Sequence, residues 1–168
     1  MRTDAAPGGP LPSALGLRVA LIVARFNEEI TGALRAGAAE ALAAAGAAAG
    51  AVETIDVPGA FELPLAARLA ARTGRFDAVV CLGCVVRGET PHFEYISSAV
   101  AHGITDVALA AGIPVAFGVL TTDTIEQARV RSAPGPSNKG WEAAAAALEM
   151  VHVARRLAAP GPAPGIRV

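Results

Sequence analysis

Residues 78–120 read AVVCLGCVVRGETPHFEYISSAVAHGITDVALAAGIPVAFGVL, and this stretch decides the fold. Ala78 to Leu82 at its start and Val115 to Leu120 at its end are short aliphatic runs, bounded by glycine, proline or charge. Runs without polar alternation belong to strands covered on both faces. Between them apolar residues fall at 93, 96, 100, 104, 107 and 111, which predicts a helix over His92–Ala111. Strand, helix and strand together make a parallel crossover unit.

The pattern continues outward. Arg18–Ala24 (RVALIVA) and Ala51–Val57 read as strands, with helices predicted from Glu28 to about Ala45 and over Phe61–Arg72. Asn27 is the expected N-cap of the first of these, and Glu28 and Glu29 suit the positive end of its dipole. Beyond residue 120 come a short helix, Thr124–Arg131, and a long one, Asn138–Ala158. In the long one Trp141, Leu148 and Val151 share one face, and Glu142, Glu149 and Arg156 another. Strand and helix alternate four times. The prediction is an α/β fold, a single-domain three-layer α/β/α sandwich on a four-stranded parallel sheet. It spans residues 17–158, between a flexible arm (1–16) and a Pro/Gly-rich tail (159–168).

The 168 residues are 53% hydrophobic and 17% charged, which excludes disorder and gives room for one large core. Aromatics are only 4%, so that core is aliphatic. A mean hydropathy of +0.46 raises the question of a membrane. Yet the longest uncharged run, Val107 to Thr122, is broken by Gly112 and Pro114 and falls short of the roughly 18–20 residues of a span. The apolar excess is assigned to subunit interfaces, making a homo-oligomer the expectation. A net charge of −1 leaves no footprint for nucleic acid. The first residues lack the unbroken apolar stretch of a signal peptide. Two cysteines, Cys81 and Cys84, cannot build a disulfide framework, so a cytoplasmic setting is expected. Their C-x-x-C spacing lies at a strand's end rather than a helix N-terminus, and no histidine is placed to complete a metal site.

In parallel sheets of this kind, ligands sit beyond the carboxyl ends of the strands. Three groups lie there. Gly88-Glu89-Thr90-Pro91-His92 fits a helix start with Thr90 as N-cap and Pro91 at the first helical position. Its free N–H groups would converge on a phosphate or carboxylate, and the positive helix end favours a neutral His92 ring that can act as a base. The alternative is an ordinary capped helix with a surface histidine. The second group is Arg129, Arg131, Asn138 and Lys139, in which Arg131 could fork onto a phosphate and Lys139 supply a point charge; a solvated basic loop is the competing reading. No P-loop order is present. The third group is Phe26 with Phe61 and Glu62. It offers a stacking platform and a hydrogen-bond acceptor for a flat ring, against a reading of both rings as core filler. His102 and His152 read as structural or solvated.

Taken together, ARFNEEIT (24–31), VPGAFELP (57–64), LGCVVRGETPHFEYI (82–96), FGVLTTDTIEQA (117–128) and NKGWEAA (138–144) resemble the 6,7-dimethyl-8-ribityllumazine synthase family, in its order and spacing. Its fold is the flavodoxin-like sandwich deduced above. The resemblance implies condensation of 5-amino-6-(ribitylamino)uracil with 3,4-dihydroxy-2-butanone 4-phosphate, the penultimate step of riboflavin biosynthesis, with no cofactor and no metal. It further implies that Phe26 stacks on the pyrimidine, that Ala60, Phe61 and Glu62 bind the ribityl chain, and that Val85 and Val86 line the heterocycle pocket. Glu89 and Thr90 would hold the phosphate together with Arg131, and His92 would transfer protons. Phe117, Arg131 and Lys139 would come from a neighbouring subunit, in a homo-oligomer built on pentamers.

One segment departs from the family's pattern. Ser-Ala-Pro-Gly-Pro-Ser (132–137) carries two stiffening prolines where shell-forming members have a Gly- and Lys-bearing loop, which bears on assembly beyond the pentamer. Three other activities compete. An archaeal-type riboflavin synthase would share the ring site but has no phosphate-bearing substrate. A non-catalytic flavin- or lumazine-binding shell protein would need neither His92 nor Arg131. A flavodoxin-like electron carrier would place a Ser/Thr-rich loop where this chain has Arg25-Phe26-Asn27.

Overall fold

The computed structural model describes residues 10–159. The chain runs β1 (Val19–Ala24), α1 (Glu28–Ala44), β2 (Val52–Val57), a 3-10 turn (Ala60–Glu62), α2 (Leu63–Arg72), β3 (Ala78–Val86), α3 (His92–Ala111), β4 (Val115–Thr122), α4 (Ile125–Ser132) and α5 (Lys139–Ala158). The sheet has the order β2-β1-β3-β4 and every pairing is parallel, as the alternation of elements required.

Burial follows the sequence pattern. Every residue of β1 is buried, which is why its run is continuously aliphatic, whereas the edge strand β2 carries exposed Thr54 and Asp56. Two cores flank the sheet. One joins Leu21, Val80 and Leu82 to Leu34 and Leu42 of α1 and Leu148 and Val151 of α5. The other joins Ile22 and Val79 to Leu63 of α2 and Val100 and Ile104 of α3. Small residues set the helix spacing: a Cβ at Gly140 would strike the backbone of Leu34, so α5 and α1 touch main chain to main chain.

Several local expectations are corrected. β3 reaches Val86 rather than Leu82, and β4 reaches Thr122 rather than Leu120. The strands outlast their aliphatic runs because they keep pairing with each other, Val85 with Thr121 and Val86 with Thr122. Cys84 therefore lies inside β3. Asn27 does not cap α1 with its side chain. It sits in the left-handed region, φ 60°, and its Nδ2 donates to the Cys84 carbonyl at 2.9 Å. Thr90 is not the cap of α3. Pro91 takes that place and no side chain caps the helix, since the chain turns one residue later than the Thr-Pro pair suggested. Phe61 belongs to the 3-10 turn, with α2 starting at Leu63. The expected arm falls partly outside the described residues. Within 10–16, Ala14 is fully buried and donates its N–H to Ala45 O, so the chain is anchored to the fold there. The expected tail, except Ala159, lies outside the described residues.

Candidate active site

The strand order reverses between β1 and β3, and beyond their carboxyl ends lies a cavity of ≈ 350 Å³. Three connections shape it. The β1 exit turns sharply at Asn27, whose side-chain bond to Cys84 O ties it to β3. Arg25 and Phe26 donate their N–H groups to Val57 O and Pro58 O, tying the same turn to β2. Phe26 is thereby held at the cavity, 71% exposed, and Phe61 on the 3-10 turn, 59% exposed, lines it as well. Core filler is excluded for both rings.

Ala60 and Glu62 line the same wall. A Glu62 carboxylate oxygen lies 3.2 Å from where a Gly59 Cβ would stand, so the glycine leaves space for it. Val85 and Val86 form the floor at the end of β3. Gly88, Thr90 and His92 line the far side, with Glu89 exposed in the same turn. The early residues of α3 add Phe93 and Ile96, so the cavity is largely apolar with a few polar groups at its rim.

Phe117, Arg131 and Lys139 are elsewhere. They line a second cavity of ≈ 400 Å³ along β4, between β4, the end of α4 and the start of α5. The two cavities share no lining residue. Arg131 donates Nη1 to Gln127 O at 2.9 Å and makes no ion pair among the described residues; Lys139 pairs with Glu142 at 2.7 Å. Asn138 fixes the spacing of the two cations. Its Oδ1 accepts from the N–H of Gly140 and of Trp141, and its Nδ2 donates to Ala33 O and Ser132 O. Arg129 is drawn off. It pairs with Glu29 across to α1 at 2.9 Å, and that bond, with the charge behind it, holds the Glu29 carboxyl below the usual carboxylate range.

The most connected polar side chain near the first cavity is Arg87, to which the sequence reading assigned no role. Its Nε donates to Asp123 at 2.7 Å and its Nη1 to Glu94 at 2.8 Å, while the guanidinium lies 4.5 Å from the centre of the Phe93 ring. The bonds to Glu94 and then Asp123 hold it protonated above the ordinary arginine range. Asn27, also missed as a wall residue, was concealed by its reading as a helix cap. Cys84 also lines the cavity, and both thiols are held protonated: burial pushes Cys81 up to about 12 and Cys84 up to about 11. Among the described residues no cluster of histidine, cysteine or carboxylate side chains could hold a metal ion, and no helix is long and apolar enough to cross a membrane.

The family model for 6,7-dimethyl-8-ribityllumazine synthase matches residues 16–155, nearly all of the described fold and both cavities. The chain belongs to that family. A 6,7-dimethyl-8-ribityllumazine synthase of Desulfatibacillum aliphaticivorans is 52% identical over 144 residues, covering 86% of this chain and 93% of its own length. One from Syntrophus aciditrophicus (strain SB) is 51% identical over 144 residues, covering 86% and 94%. All residues lining the cavity at the β1/β3 reversal and the basic cavity along β4 fall within the matched segment.

Proposed function

We propose that the chain is a 6,7-dimethyl-8-ribityllumazine synthase of riboflavin biosynthesis whose site is completed by a neighbouring copy. One observation carries the second part. The residues expected to handle the two substrates divide cleanly between two cavities of one chain: Phe26, Glu62, Val85, Val86, Thr90 and His92 in one, and Phe117, Arg131 and Lys139 in the other. A phosphate held by Thr90 and Arg131 together needs the second cavity of one copy set against the first cavity of the next. A head-to-tail contact of this kind closes into a ring, and a pentamer is the ring this reading adopts. The apolar side chains left exposed along β4 and its flanking helices, Leu109, Phe117 and Met150, support such a contact.

In this reading Phe26 stacks on the pyrimidine and Ala60, Phe61 and Glu62 take the ribityl chain. Val85 and Val86 face the heterocycle. The 5-amino group attacks the ketone and forms an imine with loss of water; phosphate then leaves, and the ribitylamino nitrogen closes the second ring with loss of a second water. His92 moves protons in these steps, while Glu89, Thr90 and Arg131 hold the phosphate. Every step uses side chains and backbone amides, with no cofactor or metal. Much of the rate comes from holding two substrates together, a term that reaches roughly 7–11 kcal/mol. The buried free thiols suit a cytoplasmic protein.

Absorbance in the lumazine band, followed with phosphate release after mixing both substrates, tests the proposal against Arg131→Ala. Lumazine and phosphate appearing together, both greatly reduced in the variant, support it. A folded oligomer that binds the ribitylamino-uracil but makes no product would leave a binding or shell role instead.

A further inference from the structure

We propose that Arg87 is a positioning residue for the phosphate subsite, acting in one chain on both elements that face phosphate. The proposal rests on the functional reading above. Arg87 does not line the cavity; its backbone and side chain are spent on neighbours. Its N–H donates to Thr122 O at 2.8 Å, fixing the exit of β3 against the exit of β4. Its Nη1 bond to Glu94 spans the 88–91 turn and pins the first turn of α3 behind it. Its Nε bond to Asp123 starts a relay toward the other cavity. Asp123 N–H donates to Gln127 Oε1 at 3.0 Å, and Gln127 O accepts from Arg131 Nη1 at 2.9 Å. Arg131, facing one site, is thus linked by consecutive bonds through Gln127, Asp123 and Arg87 to Glu94, in the first turn of the helix that follows Thr90.

Stability is not what this network mainly provides. The side chains of Arg87, Glu94 and Asp123 are 45%, 59% and 65% exposed, and pairs that wet contribute little to folding. Geometry is what two bonds from one planar guanidinium do fix. No side chain caps α3, so without the Arg87–Glu94 bond the turn that carries Gly88 and Thr90 loses its only side-chain brace among the described residues.

The test is steady-state kinetics on the assembled protein with both substrates, together with titration of inorganic phosphate by calorimetry. In Arg87→Ala the KM for the butanone phosphate and the dissociation constant for phosphate should rise about five- to tenfold, within the range of coupling inside one bonded network. The KM for the ribitylamino-uracil should change less than twofold, and Arg87→Lys, which keeps the charge but loses the fork, should lie between. Asp123→Ala should raise the same two constants and add little in the Arg87→Ala background. Equal losses for both substrates, unchanged phosphate affinity, or full additivity would overturn the proposal. Should Arg87→Ala not assemble, Asp123→Ala and Arg87→Lys carry the comparison. A wild-type protein that makes no lumazine defeats the functional reading alone, because phosphate binding still decides the role of Arg87.

Discussion

His92 stands exposed at the first position of α3 and lines the cavity, yet among the described residues nothing hydrogen-bonds its ring. A proton-transfer residue without an orienting partner supplies less than one locked in a relay, and in the proposed reaction positioning carries the larger share. His92→Ala should lower kcat by roughly 10- to 100-fold, toward the low end of what general acid–base groups contribute, while KM for both substrates stays within a few-fold. Complete loss of turnover in a folded variant that still binds the ribitylamino-uracil would contradict this. Phe26 and Phe61 could be noticed in the sequence because aromatics are so scarce, but whether they were core or cavity wall could not. That depended on a left-handed Asn27 whose side chain bonds to Cys84 O, a choice between local cap and long-range tie that spacing does not encode. Arg87 was hidden for the same reason: its partners are 7 and 36 residues away.

At the scale of elements, the junction of α1, α4 and α5 turns on Asn138, buried and fully bonded at the start of α5. Asn138→Ala removes the cap and leaves the Gly140 N–H and two carbonyls, Ala33 O and Ser132 O, without that partner. It should cost about 2–3 kcal/mol and lower Tm by roughly 4–12 °C at fixed protein concentration, by differential scanning calorimetry. An unchanged Tm would mean that water replaces all of these bonds. β3 gives a second prediction. Cys81 and Cys84 ordinarily ionise near 9.0 but are pushed by burial to about 12 and about 11. Above pH 9.0 the unfolded chain sheds both protons while the native one keeps them, so the unfolded state binds fewer and stability falls as pH rises toward 11–12, with no effect below. Urea midpoints at pH 8, 9.5 and 11 measure the fall, and rapid thiol labelling of the native protein at pH 8 would contradict the burial behind it. The helix His92–Ala111 was legible to the residue because its apolar spacing is long and regular. The strand ends were not, since β3 and β4 extend past their aliphatic runs by pairing with each other, an interaction no single segment displays.

For the whole molecule, the sheet's parallel sense followed from alternation alone, but its strand order and the division of the proposed site between two cavities did not. Sequence order sets Phe117, Arg131 and Lys139 after the other site residues without saying that they open onto a different cavity. The division makes a strong prediction about mixed assemblies. Phe26→Ala/His92→Ala disables the first cavity of every copy, and Arg131→Ala disables the second. Each protein alone should be nearly inactive. When the two are unfolded together and refolded at equal concentration, a first cavity from an Arg131→Ala chain can meet a second cavity from a Phe26→Ala/His92→Ala chain. Random neighbours then give about one intact site in four, and lumazine formation should recover to about a quarter of the wild-type rate per chain. Mixing the separately assembled variants without unfolding should recover nothing at first, because no such contact exists until chains exchange. A refolded mixture no more active than the average of its parents would mean that each chain builds its own site, and that the basic cavity along β4 serves some other purpose.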